Sequence, residues 1–161
     1  MEKLRIVGGN KLSGTISCSG AKNAALPMLA ATILTDEQIT FKNLPYLQDI
    51  TTMFEILGSM GAEITLNECM DFIISTSKIH DFEARYELVK TMRASILVLG
   101  SLVARHGFAK IALPGGCAIG TRPVDFHLDA LTKLGAKIEL KNGYIEATAK
   151  KLIGCDINFP G

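Results

Sequence analysis

Residues 50–64, ITTMFEILGSMGAEI, and residues 124–138, VDFHLDALTKLGAKI, share one pattern: spaced apolar side chains, a glycine turn and the start of a strand. In both stretches the apolar residues recur every three or four positions, which predicts an amphipathic helix with one buried face. The positions on that face are Ile50, Met53, Phe54, Leu57 and Met60 in the first stretch and Val124, Leu128, Leu131 and Leu134 in the second. Two such segments indicate an internal repeat.

The repeat covers most of the chain when the sequence is compared with itself at a shift of about 70 to 74 residues. Each copy has an apolar helix, a short strand that ends in Leu-Pro, the amphipathic helix, and two strands around a turn. The apolar helices, KNAALPMLAATIL from Lys22 and MRASILVLGSLVA from Met92, are apolar on all sides, so both are predicted to be enclosed. A further strand is expected before each of them, at 14–20 and 81–85. The predicted unit is therefore βαβαββ, and the predicted fold class is α/β.

Two local features qualify this pattern. Pro27 lies inside the first apolar helix, and we expect that helix to begin near Asn23, so that Pro27 falls close to the first turn. The stretch CDINFP, from Cys155, is predicted to be the opening strand of a third copy, and the sequence stops at Gly161. We therefore expect the chain to be part of a longer protein.

The composition indicates an ordinary globular domain. With 161 residues, 48% of them hydrophobic and 20% charged, the chain is long enough to bury a core. A net charge of +1 and a pI of about 7.7 do not indicate a nucleic-acid-binding protein. The longest apolar runs, 24–34 and 94–104, are shorter than the roughly 20 residues that a membrane span needs, and no secretory signal is recognisable.

The cysteines are spaced as free thiols rather than as metal ligands. Cys18, Cys69, Cys117 and Cys155 form no CxxC pair, and no group of His and Cys residues has metal-ligand spacing. These features predict a protein of the reducing cytoplasm, without a metal or other cofactor.

Cationic and polar residues stand where the two apolar helices begin. Lys22 and Asn23 open the first of these helices, and a helix N-terminus attracts anions. A solvated lysine is the alternative interpretation. Arg93 holds the position of Asn23 in the second copy, and spacing alone does not decide between an interface cation and a functional one.

A second cation precedes the second amphipathic helix. Arg122 stands directly before Pro123, and Asp125 lies in the first turn, a combination that also fits a simple helix start. His127, between apolar positions of the same helix, is more typical of a structural histidine than of a catalytic one.

The loop LPGGCAIGTRPVD (113–125) places Cys117 among glycines, in an insertion that the first copy lacks. A free cysteine is usually a small buried apolar residue, but function is commonly carried by such loops. The loop has Cys-x4-Arg rather than the Cys-x5-Arg of cysteine phosphatases, and no Gly-Lys-Ser/Thr of a nucleotide P-loop follows the glycines. Both of those classes are therefore disfavoured.

Three segments resemble the enolpyruvyl transferase family: SGAKNAALP (19–27), LVKTMRAS (88–95) and LPGGCAIGTRPVDFH (113–127). Within that family the glycine-cysteine loop is typical of the UDP-N-acetylglucosamine 1-carboxyvinyltransferases of peptidoglycan synthesis. The resemblance implies two similar domains, each an inside-out α/β barrel of three βαβαββ units. It assigns residues 1–21 to an N-terminal strand segment that packs with the second domain, and residues 22–161 to the first domain, incomplete here.

The resemblance also implies a reaction and its site. The 3′-hydroxyl of the UDP-sugar adds to C2 of phosphoenolpyruvate, a proton goes to C3, and phosphate leaves. Cys117 corresponds to the proton donor and to the target of fosfomycin, while Lys22, Asn23 and Arg122 correspond to the phosphoenolpyruvate site. The residues expected to line the UDP-N-acetylglucosamine site are Arg93, Arg122, Pro123, Val124, Asp125 and Phe126.

The neighbouring cations should lower the pKa of a thiol, so we expect Cys117 to be nucleophilic in the empty site and to become an acid once anionic substrates fill it. The family's carboxylates and further arginines belong to parts beyond Gly161, so the chain alone is expected to be inactive. The alternatives are an enolpyruvylshikimate phosphate synthase, which lacks the cysteine loop, and a non-catalytic interaction module.

Overall fold

Most of the elements predicted for the two copies of the repeat are present in a computed structural model, which describes residues 3–90, 92–113 and 124–158. The first copy contains α1 Lys22–Ala31, a 3-10 turn Thr32–Leu34, β1 Ile39–Phe41, α2 Gln48–Ser59, β2 Glu63–Leu66 and β3 Phe72–Ser75. The second contains β4 Glu83–Ala84, α3 Tyr86–Val89, a 3-10 turn Arg93–Ile96, α4 Leu97–His106, β5 Phe108–Ala112, α5 Asp125–Lys133, β6 Lys137–Lys141 and β7 Tyr144–Thr148.

The two sheets have the same topology. In the first the order is β1-β3-β2, and in the second β5-β7-β6 repeats it, with every one of these pairs antiparallel. The second sheet has an additional edge strand, β4, which runs parallel to β5. Shared strand order confirms the repeat, and β4 confirms the strand predicted at 81–85.

Two predicted strands are absent from the described chain. Residues 14–20 and 155–158 have no regular secondary structure, so the predictions of an N-terminal strand and of an opening strand at Cys155 are wrong for these residues. A strand needs a backbone partner along its length. Instead, the first segment is held by the side chain of Asn43, and Cys155 donates a hydrogen bond from Sγ to the carbonyl of Lys133 at 3.3 Å.

The first apolar helix is half-exposed rather than enclosed. On α1, the residues Ala25, Leu26, Leu29 and Ala30 are buried, but Met28 is 49% exposed, so the prediction of full enclosure is wrong for this helix. The described residues place α2 and α4 against one face of α1 and no element over Met28. In α4, by contrast, Val98, Leu99, Leu102 and Val103 are buried and only Ala104 is exposed.

Pro27 is in the second turn of α1 and not in the first, because the helix begins at Lys22. Proline has no N–H to donate to the carbonyl four residues earlier, here that of Asn23. The helix nevertheless continues to Ala31. Among the described residues, no helix is long and apolar enough to cross a lipid bilayer.

A part-buried polar cluster joins the ends of the two apolar helices. Arg105, near the end of α4, donates hydrogen bonds from Nη1 to the carbonyls of Ile33 and Thr35 at 2.7 and 2.8 Å, and its guanidinium also pairs with Asp36. The hydroxyl of Thr76 donates to the carbonyls of Thr32 and Thr35. Carbonyls that follow the end of α1 are thereby satisfied by Thr76 of the first copy and by Arg105 of the second.

Next to this cluster, His106 is held in its neutral form. Its ring packs on Phe82, with 4.7 Å between ring centroids, and its Nε2 is buried without a hydrogen-bond partner among the described residues. Desolvation first, and then the Arg105 charge, lower the pKa of His106, and Asp36 only partly opposes them. Protonation would place a second cation in this region.

We expect acid to destabilise the fold through His106. Because its folded pKa is below that of an unfolded histidine, about 6.5, the unfolded state binds the proton more readily. Stability is therefore lost as pH falls below about 6.5, by less than about 1.4 kcal/mol per pH unit for one group. Urea unfolding between pH 7.5 and 5.5 should show a smaller loss for His106→Phe than for the unchanged chain.

The matched control is His80→Gln, because His80 is exposed. This variant should keep the full pH dependence. Equal slopes for His106→Phe and the unchanged chain would contradict the assignment.

Candidate anion and substrate site

The N-terminal ends of four helical segments lie at one end of the molecule. Arg105 ties the end of α4 to the carbonyls that follow α1, and α4 packs along α1, so these two helices run parallel. The first turns of α1 and α4 therefore lie together at the end of the molecule opposite Arg105. Lys22 there contacts Asp49 of α2, and the charge of Arg93 acts on His127 of α5. Each helix start has a positive dipole end, so this region is suited to anions.

Lys22 is held at the start of α1 by an ion pair. Its Nζ lies 2.8 Å from Oδ2 of Asp49, in the first turn of α2, and both side chains are partly exposed. Ala21, the N-cap, makes no side-chain cap, and Asn23 is exposed in the first turn. Without a ligand Asp49 balances the charge of Lys22. An anion bound at this helix start would share Lys22 with Asp49.

Arg93 lies close enough to His127 for its charge to act on the imidazole. Arg93 opens the 3-10 turn before α4 and is half-buried, and His127 lies in the first turns of α5. Partial desolvation, and secondarily the charge of Arg93, lower the pKa of His127. The histidine therefore presents a neutral ring, able to donate from one nitrogen and accept at the other.

The cleft between α4 and α5 has a volume of about 290 Å³ and is largely apolar. Phe126, predicted from the resemblance to line the sugar-nucleotide site, stands on its α5 side and is 50% exposed. A large exposed aromatic ring of this kind can stack on a planar group of a ligand. The residues that line the cleft are Ile96, Leu97, Leu99, Gly100, Phe126, His127, Ala130 and Leu131.

The predicted site residues are thus only partly placed. Lys22 and Asn23 share one helix start, and Val124, Asp125 and Phe126 form the start of α5, where Val124 is the N-cap. Cys117, Arg122 and Pro123 lie outside the described residues. The chain reaches their loop from β5, where the N–H of Leu113 donates to the carbonyl of Gly143 at 2.9 Å, and leaves it at Val124.

Three residues at this end of the molecule were not predicted from the sequence. Asp49 belongs to no sequence motif, and its ion pair with Lys22 becomes visible only once α1 is packed against α2. His127 was interpreted as structural, but it lies on the rim of the cleft. Asn43 could have been noticed from the repeat, because the residue before Leu-Pro is polar in the first copy and is Ala112 in the second.

Comparison with known proteins agrees with this architecture. The family model described as EPSP synthase (3-phosphoshikimate 1-carboxyvinyltransferase) matches residues 6–160. The chain belongs to the EPSP synthase family. Within that family it is 57% identical, over 99% of its length, to the UDP-N-acetylglucosamine 1-carboxyvinyltransferase of Halorhodospira halophila. It is also 57% identical to the protein of the same name from Coxiella burnetii.

The chain spans 38% and 37% of the length of these two EPSP synthase family members. Among solved structures, the enolpyruvyl transferase NikO from Streptomyces tendae superposes with a TM-score of 0.75 at 26% identity, over 93% of this chain and 33% of that one. EPSP synthase from Acinetobacter baumannii superposes with a TM-score of 0.64 at 16% identity, over 87% of this chain and 33% of that one, a likeness of fold alone. The predicted enolpyruvyl transferase-like α/β fold is therefore confirmed.

Proposed function

We propose that this chain carries part of the active site of an enolpyruvyl transferase that acts on UDP-N-acetylglucosamine, in the first committed step of peptidoglycan synthesis. The supporting observation is 57% identity, over nearly the whole chain, to relatives that bear the name of that enzyme. In this proposal residues 1–21 belong with a second domain and residues 22–161 with the first. The reaction takes place in the cytoplasm, where a thiol such as Cys117 stays reduced.

The proposed roles follow from the charges at the helix starts. Lys22, with Asn23 beside it and Arg122, binds the phosphate of phosphoenolpyruvate, aided by the free N–H groups that begin α1. Arg93 binds the diphosphate of the UDP-sugar, while Val124 to Phe126 contact the rest of the nucleotide, together with Pro123. An apolar cleft lined by Phe126 adjoins the start of α5.

The chemistry is an addition followed by an elimination. The 3′-hydroxyl oxygen forms a bond to C2 of phosphoenolpyruvate and gives up its proton to a base, and the Cys117 thiol delivers a proton to C3. The C–O bond to phosphate then breaks, C3 loses a proton, and the enolpyruvyl double bond returns. A positioned general acid of this kind typically contributes about 10²- to 10⁴-fold to the rate.

The acceptor can be tested with a chimera in which this chain is followed by the part of the Halorhodospira halophila relative that lies beyond the matched region. We expect the chimera to release phosphate from phosphoenolpyruvate with UDP-N-acetylglucosamine and not with shikimate 3-phosphate. In the presence of the UDP-sugar, fosfomycin should modify Cys117, as detected by mass spectrometry of the digested protein.

Activity with shikimate 3-phosphate would instead favour the enolpyruvylshikimate phosphate synthase alternative. A folded chimera without turnover and without fosfomycin labelling would favour a non-catalytic module. The 161-residue chain tested alone should give no turnover, and measurable turnover by it would contradict the division of the site proposed here.

A further inference from the structure

We propose that Asn43 is a positioning residue that fixes the segment leading into α1 and thereby holds Lys22 at the anion site. The inference rests on the proposed function, in which Lys22 binds phosphoenolpyruvate. Asn43 is in the loop between β1 and α2, and it lies 23 residues from Gly20 and 25 from Cys18 in the sequence. Its contact with the segment is therefore a tertiary one.

The side-chain amide of Asn43 makes two hydrogen bonds to the backbone of that segment. Its Nδ2 donates to the carbonyl of Cys18 at 3.2 Å, and its Oδ1 accepts from the N–H of Gly20 at 3.3 Å. The amide thus offers the segment one hydrogen-bond donor and one acceptor, the same groups that the backbone of a neighbouring strand would offer. Only Ala21 separates the bonded residues from Lys22, so the two bonds determine where α1 starts.

The close approach at Gly20 shows how tightly the segment and the loop fit. A Cβ at position 20 would lie 2.0 Å from the backbone carbonyl oxygen of Asn43, so no larger residue fits without a shift of backbone. Asn43 itself has a φ of 57°, a left-handed conformation that asparagine tolerates better than most residues. This contact therefore requires glycine at position 20 and, at position 43, a residue that tolerates a left-handed backbone.

The second copy of the repeat has a backbone strand pair in the region where the first copy has a side-chain contact. There β4, which precedes the second apolar helix, pairs directly with β5 through Glu83–Lys110 and Ala84–Ile111. In the first copy residues 14–20 form no strand, and Asn43 occupies the place that Ala112 has in the second copy. In the first copy the Asn43 side chain holds the segment directly before the helix that carries Lys22, whereas in the second copy α3 lies between β4 and the corresponding helix.

The cap of α1 makes this support necessary. Ala21 provides no side-chain hydrogen bond to the helix start, and the first turn is closed by the Ala25 N–H, which donates to the carbonyl of Ala21 at 3.0 Å. If residues 18–21 lose their fixed position, that first-turn bond opens more often. The ion pair with Asp49 then restrains only the tip of Lys22.

The test compares Asn43→Gly with Asn142→Gly. Both replace an asparagine of left-handed backbone, with φ of 57° and 51°, but Asn142 lies in the β6–β7 turn. We expect amide hydrogen exchange at Ala25 to rise about tenfold or more in Asn43→Gly only, with exchange at Leu99 of α4 unchanged. The shifts that phosphoenolpyruvate induces at the Lys22 and Asn23 amides should need about fivefold more ligand.

Asn43→Asp keeps the acceptor for Gly20 and should restore part of the protection at Ala25. Equal Ala25 exchange in Asn43→Gly and Asn142→Gly would overturn the inference. If phosphoenolpyruvate shifts no amide in the unchanged chain, the proposed function fails at Lys22, and Ala25 exchange still decides whether Asn43 positions α1.

Discussion

Replacing Cys117 with alanine is expected to lower the turnover of the chimera by about two to four orders of magnitude, the contribution that a positioned general acid makes. The thiol is the group proposed to protonate C3 of phosphoenolpyruvate, and alanine offers no proton. Binding of the UDP-sugar should change little, because the proposed contacts of that ligand are Arg93 and the start of α5. Steady-state phosphate release, with the affinity for UDP-N-acetylglucosamine measured by calorimetry, separates the two effects.

Cys69→Ala is the matched control for this experiment. Cys69 is an exposed free cysteine in the turn between β2 and β3, so its loss should leave turnover and fosfomycin labelling as they were. Cys117→Ala should abolish labelling. Turnover of Cys117→Ala within about threefold of the unchanged chimera would exclude the thiol as the proton donor.

Replacing Arg105 with alanine is expected to destabilise the fold by about 3 kcal/mol, because charge-assisted hydrogen bonds and the satisfaction of part-buried carbonyls are lost together. The guanidinium is only 17% exposed and donates to Ile33 and Thr35, which belong to the other copy of the repeat. For a domain of this size the melting temperature should fall by about 6 to 12 °C.

Arg85→Ala is the matched surface control. Arg85 is 70% exposed and its Nη2 lies 3.6 Å from Asp81, a geometry that typically contributes little to stability. Its loss should change the free energy of unfolding by less than about 0.5 kcal/mol. Arg105→Lys keeps the charge but not the several N–H donors of the guanidinium. Its free energy of unfolding should lie between those of Arg105→Ala and Arg85→Ala. Equal melting temperatures for Arg105→Ala and Arg85→Ala would show that the cluster does not join the two copies.

The repeat could be predicted because its elements depend on local pattern. The spacing of Ile50, Met53 and Leu57 gave the buried face of α2, and the same spacing gave α5, where Leu131 is buried. Strand order followed the repeat as well, with β1-β3-β2 matched by β5-β7-β6. The helix faces follow from a periodicity that is visible in the sequence, whereas the pairs β1–β3 and β5–β7 join segments separated by a helix and a strand.

The failures concern segments whose structure depends on distant partners. Residues 14–20 have a strand-like composition, but Cys18 and Gly20 bind the Asn43 side chain instead of a neighbouring strand. The helix α1 is apolar on all sides after its first turn, but among the described residues no element covers Met28. The pairing of Lys22 with Asp49 is likewise tertiary. Cys117 and Arg122 were singled out from the loop and from the helix start, their roles come from the resemblance in sequence, and both lie outside the described residues.

The parallel arrangement of α1 and α4 has a consequence for the electric field of the molecule. Side-by-side helices that point the same way add their dipoles instead of cancelling them. At one end Arg105 binds the part-buried carbonyls that follow α1, while Lys22, paired with Asp49, and Arg93 lie at the positive pole at the other. We therefore expect the attraction of anions by these helix starts to reach over roughly a Debye length, about 8 Å at physiological salt, and to weaken as salt is added.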